Sequence, residues 1–174
     1  MRFFYDTEFI EDGTSIDLVS IGIVAQTGEE FYAVSTDADH RLANAWVKEH
    51  VLNQLPNPAS SVWMNNERIA AEALKFMSSF PGSIELWAWV GAYDHVVFAQ
   101  LWGDMQGMPK NLPRYTRELK QYWELAGKPQ LPPLPAGNHD ALVDARHNLA
   151  KFQVCMAAMP LNQRNAVMTS GAMD

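Results

Sequence analysis

Hydrophobic and polar side chains change places along the chain in two rhythms. Residues 2–9 set Asp6, Thr7 and Glu8 among aromatics, and an extended segment alternates its side chains between faces. Asp6 and Glu8 then point to one side, and Tyr5, Thr7 and Phe9 to the other. Residues 16–25 are rich in β-branched side chains and read as a second strand, and residues 30–34 as a third. The turn pairs Asp12-Gly13 and Thr27-Gly28 join these into an antiparallel meander with the acids on an interior strand. The rhythm then lengthens to helical spacing. Ala43, Trp46, Val47, His50 and Val51 share one apolar face, which makes His50 a core histidine rather than a ligand. Asn66 caps a second helix lined by Ile69, Ala73, Phe76, Met77 and Phe80. Residues 84–90 form a fourth strand, parallel to the first after this helical crossover, and lead through Gly91-Ala92-Tyr93 into a helix beginning near Asp94. Arg114-Tyr115 reads as a short edge strand, and Thr116 as the cap of a helix carrying Leu119, Trp123 and Ala126. After the proline-rich loop 127–138, a last helix starts near Asp140 and ends at Pro160. The pattern describes one α/β domain over residues 1–160 and a frayed tail over 161–174.

A chain of 174 residues, 48% hydrophobic, is enough for one real core. The net charge of −7 argues against broad wrapping of nucleic acid, although bound metal ions would supply positive charge locally to an enzyme working on a strand end. Cys155 is the lone cysteine, in a helical pattern that buries it, which points to a reducing compartment. With no signal-peptide design and no apolar run of membrane-spanning length, the expected location is cytoplasmic.

Alone, the Asp-x-Glu pair reads as an edge strand showing its acids to water. Asp94 at the carboxyl end of a parallel strand and Asp144 in the first turns of the last helix change that reading, because the topology brings all four acids together. His139 joins them only from the loop before the helix, since five residues along a continuous helix would turn it well away from Asp144. Four converging carboxylates repel one another unless cations neutralise them, and two Mg²⁺ or Mn²⁺ ions are the simplest resolution. Such a pair suits displacement at phosphorus, with His139 able to take the proton from the attacking water.

Asp6-Thr7-Glu8-Phe9, Tyr93-Asp94 and His139-Asp140-Ala141-Leu142-Val143-Asp144 resemble the three motifs of the DEDDh 3′–5′ exonucleases. Longer runs around them are similar to the family's mycobacterial exoribonuclease branch, from about residue 2 to 155. The resemblance implies a ribonuclease-H-like fold with a five-stranded mixed sheet in the order 3-2-1-4-5. It implies two divalent ions sharing Asp6, with Glu8 and Asp144 on one, Asp94 supporting the other and His139 as the base. It also implies a homodimer acting on single-stranded RNA 3′ ends with a bias toward adenylate. Trp89 and Val90 stand where the broad family has a His-Asn pair, so substrate contacts do not carry over from other members.

Candidates for holding RNA are Thr7, Phe9, Trp89 and Tyr93 beside the motifs, and Arg114 and Arg117 for phosphate. Trp89 fits the core equally well, and the two arginines fit a solvated surface or a dimer contact. Competing readings are an oligoribonuclease or single-stranded DNA exonuclease of the same fold, and a binding module without catalysis.

Overall fold

The computed structural model describes residues 1–160; the expected tail, 161–174, lies outside the described residues. Six strands, β1 (Arg2–Glu11), β2 (Ile16–Ala25), β3 (Glu30–Ser35), β4 (Trp63–Met64), β5 (Glu85–Ala88) and β6 (Arg117–Glu118), form one sheet in the order β4-β3-β2-β1-β5-β6. β1, β2 and β3 are the antiparallel meander, and β4, β5 and β6 each pair parallel to a neighbour. The helices are α1 (Ala45–His50), α2 (Asn66–Ser78), α3 (Ala92–Gln100), α4 (Leu119–Leu125) and α5 (Ala141–Ala158).

The expected order of five strands is present, with β4 added outside β3. Two residues following a Pro-rich loop offer no period to read, and β4 is defined by its ladder to Val34 and Ser35. The edge strand falls at Arg117–Glu118 rather than at Arg114-Tyr115. Thr116 does not cap α4: Glu118 accepts from Lys120 N, while Thr116 Oγ1 bonds Tyr5 Oη at 2.6 Å and His95 Nδ1 at 3.0 Å. Asn65, not Asn66, caps α2.

The alternation of β1 divides the core. Phe3 and Tyr5 pack with Ile69, Ala73 and Met77 of α2 and Val97 and Phe98 of α3. On the other face Phe4 joins Trp87, Tyr122 and Phe152, and Ile10 joins Val19, Val47 and Val51. Asp6 and Glu8 share that second face, in the gap between its two apolar clusters. Of α1 only Val47 reaches the core, flanked there by Ala43 before the helix and Val51 after it, not the wider stripe expected: Trp46 is exposed and His50 is half-buried. His50 is therefore not a core histidine; the helix is one short turn and a half, rotated to seat Val47.

Gly22 decides how close α5 can come. It stands opposite Asp6 in the β1–β2 register, and a Cβ built on it would lie 2.3 Å from Ala141 O and 2.5 Å from Leu142 Cα. Those are backbone atoms, which cannot swing aside, so only glycine lets the first turn of α5 rest on the sheet beside the acids. Gly22→Ala should cost about 3 kcal/mol, the upper range for overpacking, and lower the melting temperature by roughly 6–12 °C. Thermal unfolding by circular dichroism checks this; an unchanged melting temperature would show that α5 does not sit so close.

Candidate active site

β5 pairs with β1 only at Arg2, Phe3 and Phe4. Beyond Phe4 the edge of β1 would be bare, and side chains from two helices take its backbone groups: Thr7 N donates to Asp94 Oδ1 at 2.8 Å, and Asn148 Nδ2 of α5 donates to Tyr5 O at 3.2 Å. A notch thus opens at the carboxyl end of β5, where sheets of this kind place their sites. Thr7 Oγ1 adds a second bond to Asp94 Oδ1 at 2.7 Å. Asp94 itself is buried in the first turn of α3.

The chain reaches Asp94 through a strained corner. Val90 adopts φ 58°, a left-handed conformation costly for a β-branched residue. Glu118 holds it there by accepting from Val90 N at 2.8 Å and Gly91 N at 3.0 Å. His139 shows the same left-handed backbone, φ 69°, outside α5 as the sequence required. Asp140 caps the helix through Leu142 N and Val143 N, both at 3.0 Å, and Asp144 Oδ2 accepts from His139 N at 2.7 Å. Glu8, His139 and Asp144 each offer one ligand atom, all within 4.8 Å of one another.

Charge ties the remaining acids to this group. Burial raises the Asp6 carboxyl well above its ordinary value, and the fields of Asp94, Glu8 and Asp144 push it further, against a smaller pull from Lys151. Burial first, then Asp144, Asp94 and Asp140, raise Glu8 to about 8. Burial also raises Asp94, to about 6, in spite of the two bonds from Thr7. Partly buried acids that converge on one place are a donor set that fits hard divalent cations, so Asp6, Glu8, Asp94 and Asp144 are the groups able to hold them.

The candidates for holding RNA are not all at this centre. Phe9 and Tyr93 come together, rings 5.6 Å apart and tilted by only 11°, with Tyr93 exposed. Trp89 is half-buried, 5.9 Å from Trp123, with Lys151 Nζ 4.6 Å above its ring. Arg114 Nη2 donates to Met108 O at 2.8 Å and lines a separate pocket of about 310 Å³ with His95 and Tyr115. Arg117 lies 3.3 Å from Glu85 and covers Trp87 and Tyr115, which occupies its guanidinium within the protein. The sequence reading passed over Trp46 and His50, which line a cleft of about 480 Å³ with Glu49, Gln54, Gly137, Asn138 and His139. Trp46 and His139 meet edge to face at 4.8 Å. Their signal was available in the helical spacing, but with the wrong phase assigned.

Four acids and an imidazole gathered beside a notch in a mixed sheet resemble the centre of an exonuclease of the DEDD class on a ribonuclease-H-like fold. The solved structures agree on the fold: a zinc-bound E. coli ExoI–single-stranded DNA complex superposes with a TM-score of 0.67 at 14% identity over 96% of this chain, which spans 42% of that chain. A full-length 3′-exonuclease gives a TM-score of 0.52 at 12% identity, covering 90% of this chain and 80% of that one. The family model described as the 3′-5′ exoribonuclease Rv2179c-like domain matches residues 1–156. Rv2179c, a 3′-5′ exoribonuclease of Mycobacterium tuberculosis, is 55% identical over 155 residues, covering 88% of this chain and 92% of the relative. The chain belongs to the Rv2179c-like 3′-5′ exoribonuclease domain family, and is a phosphodiester hydrolase. No helix among the described residues is long and apolar enough to cross a membrane.

Two tests follow from the electrostatics and the strained corner. A carboxyl whose pKa is raised in the folded protein binds protons more tightly there than in the unfolded chain, so stability falls as pH rises between the unfolded and folded values. With Glu8 raised from 4.5 to about 8 and Asp94 from 3.8 to about 6, the EDTA-treated protein should melt several degrees lower at pH 8 than at pH 5.5, and Mg²⁺ should restore it at pH 8. A metal-free melting temperature that climbs over this interval would contradict the arrangement. Val90→Asn, at an exposed position whose φ suits asparagine, should raise the melting temperature by a few degrees, where an ordinary polar replacement would be neutral.

Proposed function

We propose that the protein removes nucleotides one at a time from the 3′ end of single-stranded RNA, with a bias toward adenylate, by a two-metal mechanism with His139 as general base. The observation that supports this best is the convergence of Glu8, Asp144 and His139 within 4.8 Å, beside an Asp6 whose carboxyl feels all the other acids. Bound divalent ions would neutralise the carboxylates and polarise the phosphoryl oxygens. Asp6 feels the charges of Asp94, Glu8 and Asp144 alike, which makes it the acid that a pair of ions would share. Thr7 fixes Asp94 through its backbone and hydroxyl. His139, its backbone tied to Asp144, presents an imidazole that takes the proton as water attacks phosphorus. The bond to the 3′ oxygen breaks and a nucleoside 5′-monophosphate leaves.

The stacked Phe9–Tyr93 pair and Trp46 in the cleft beside His139 offer aromatic faces on which bases rest without sequence readout. Purines present the largest such face, which accords with the adenylate bias implied by the motif resemblance. The homodimer belongs to the same proposal, and the exposed Leu42, Leu125 and Leu134 give it apolar surface to cover; light scattering on the purified protein would report its mass.

The deciding experiment compares 5′-labelled oligoadenylate, oligouridylate, an RNA dinucleotide and single-stranded DNA in Mg²⁺. Long RNA should be shortened stepwise from the 3′ end, adenylate fastest, and DNA at least tenfold slower. DNA cut as fast as RNA, or a dinucleotide preferred over longer chains, moves the assignment to the corresponding exonuclease. Asp6→Asn should reduce turnover by about 10³-fold or more, the scale of losing a group that stabilises charge in the transition state. A variant that keeps its rate would show that Asp6 does not hold the catalytic ions, whereas a wild type that binds RNA but cuts none would leave only a binding module.

A further inference from the structure

Lys151 is a cation inside the site that the four-acid chemistry does not use. It lies seven residues, close to two helical turns, beyond Asp144 on α5, so both side chains emerge on the same face, and that of a helical residue leans toward the helix start. Its ammonium is held from two sides. Asn148 Oδ1 accepts from Nζ at 3.1 Å, while Asn148 Nδ2 is anchored to Tyr5 O; the ring of Trp89 lies 4.6 Å below. Burial pulls the Lys151 pKa down and the fields of Asp144 and Asp6 push it back up, which locates the charge beside those two acids. Three arginines are committed elsewhere: Arg117 to Glu85, Arg114 to Met108 O and Arg146, also on α5, to Glu30.

We infer that Lys151, seated on Trp89, binds the phosphate that is being cleaved and holds it against the acid cluster. The inference rests on the reading of the site as a two-metal nuclease. Four carboxylates and two divalent ions cancel, so the phosphodiester brings a negative charge with no counterpart, and attack by water adds more as the transition state forms. A lysine fixed on an aromatic face supplies that charge in place, with little side-chain freedom left to lose. Trp89 thereby has a role at the position where the broad family carries a histidine: it is a platform for a cation rather than a polar contact of its own.

After the 3′ bond breaks, the cleaved phosphate is the 5′-phosphate of the released nucleotide, so AMP reports on this contact without turnover. Calorimetry in Mg²⁺ should show Lys151→Gln and Lys151→Met binding AMP at least tenfold more weakly, with Lys151→Arg close to wild type. Adenosine, which has no phosphate, should bind all three variants as it binds wild type. In oligoadenylate cleavage KM should rise tenfold or more in the neutral variants. The slope of log(kcat/KM) against log salt should lose about 0.7, the share of one single-strand phosphate contact. Undiminished AMP binding by the neutral variants overturns the inference. So does an equal loss for AMP and adenosine, or a loss in Lys151→Arg as large as in Lys151→Gln, since either reports a merely structural lysine. Melting curves of the three variants identify one that fails to fold, and the remaining two then decide. Should wild type itself cleave no RNA, the nuclease reading fails instead, an outcome separate from any of these.

Discussion

The structure is arranged around a repulsion. Asp6, Glu8, Asp94 and Asp144 are brought by three elements, β1, α3 and α5, to one partly buried place, where burial and the neighbouring acids make Asp6 and Glu8 harder to ionise. Such a cluster persists only if the surrounding fold is rigid enough to hold it. The aromatic and aliphatic clusters on both sides of β1 do that, leaving a polar gap of two residues in an otherwise apolar strand. What the fold loses by gathering the acids it would regain on binding cations, which would tie stability and function to the same carboxylates.

The notch that receives them arises from a mismatch in strand length. β1 continues past the point where β5 stops pairing, and the backbone groups left over are taken by Asp94 and Asn148, from α3 and α5. One hydrogen bond therefore completes the sheet and positions an acid of the candidate site together. The unusual backbone at Val90 and His139 lies just before α3 and α5, the helices that carry Asp94 and Asp144, consistent with strain being kept where a side chain must be aimed.

Much of this was legible because β1, β2 and β3 are long enough to display their two-residue period, and because a cap at Asp140 forces His139 off the helix. The elements that escaped are those too short to show a period. β4 and β6 are two residues each and exist through their ladders alone. α1 has six residues, so a small error of phase sent Trp46 and His50 to the core when only Val47 faces it. Arg117 looked like a phosphate ligand because its partner Glu85 is distant in sequence and close only through the β5–β6 pairing. Gly22 and Lys151 were within reach: a glycine amid β-branched residues signals a close approach, and seven residues from Asp144 is the same helix face. Neither lies inside a motif, which is why both went unread.

The two-residue strands at the margins of the sheet bear on how the molecule behaves in company. β4 flanks β3 at Val34 and Ser35 and β6 flanks β5 at Trp87 and Ala88, so the outermost strand on each side of the sheet is only two residues long. A neighbouring molecule seeking to extend the sheet would find almost no ladder to continue, and β6 meets it with Arg117 and Glu118, charged side chains of the kind that deter such stacking. Margins this short and charged disfavour fibre-like addition of a further strand.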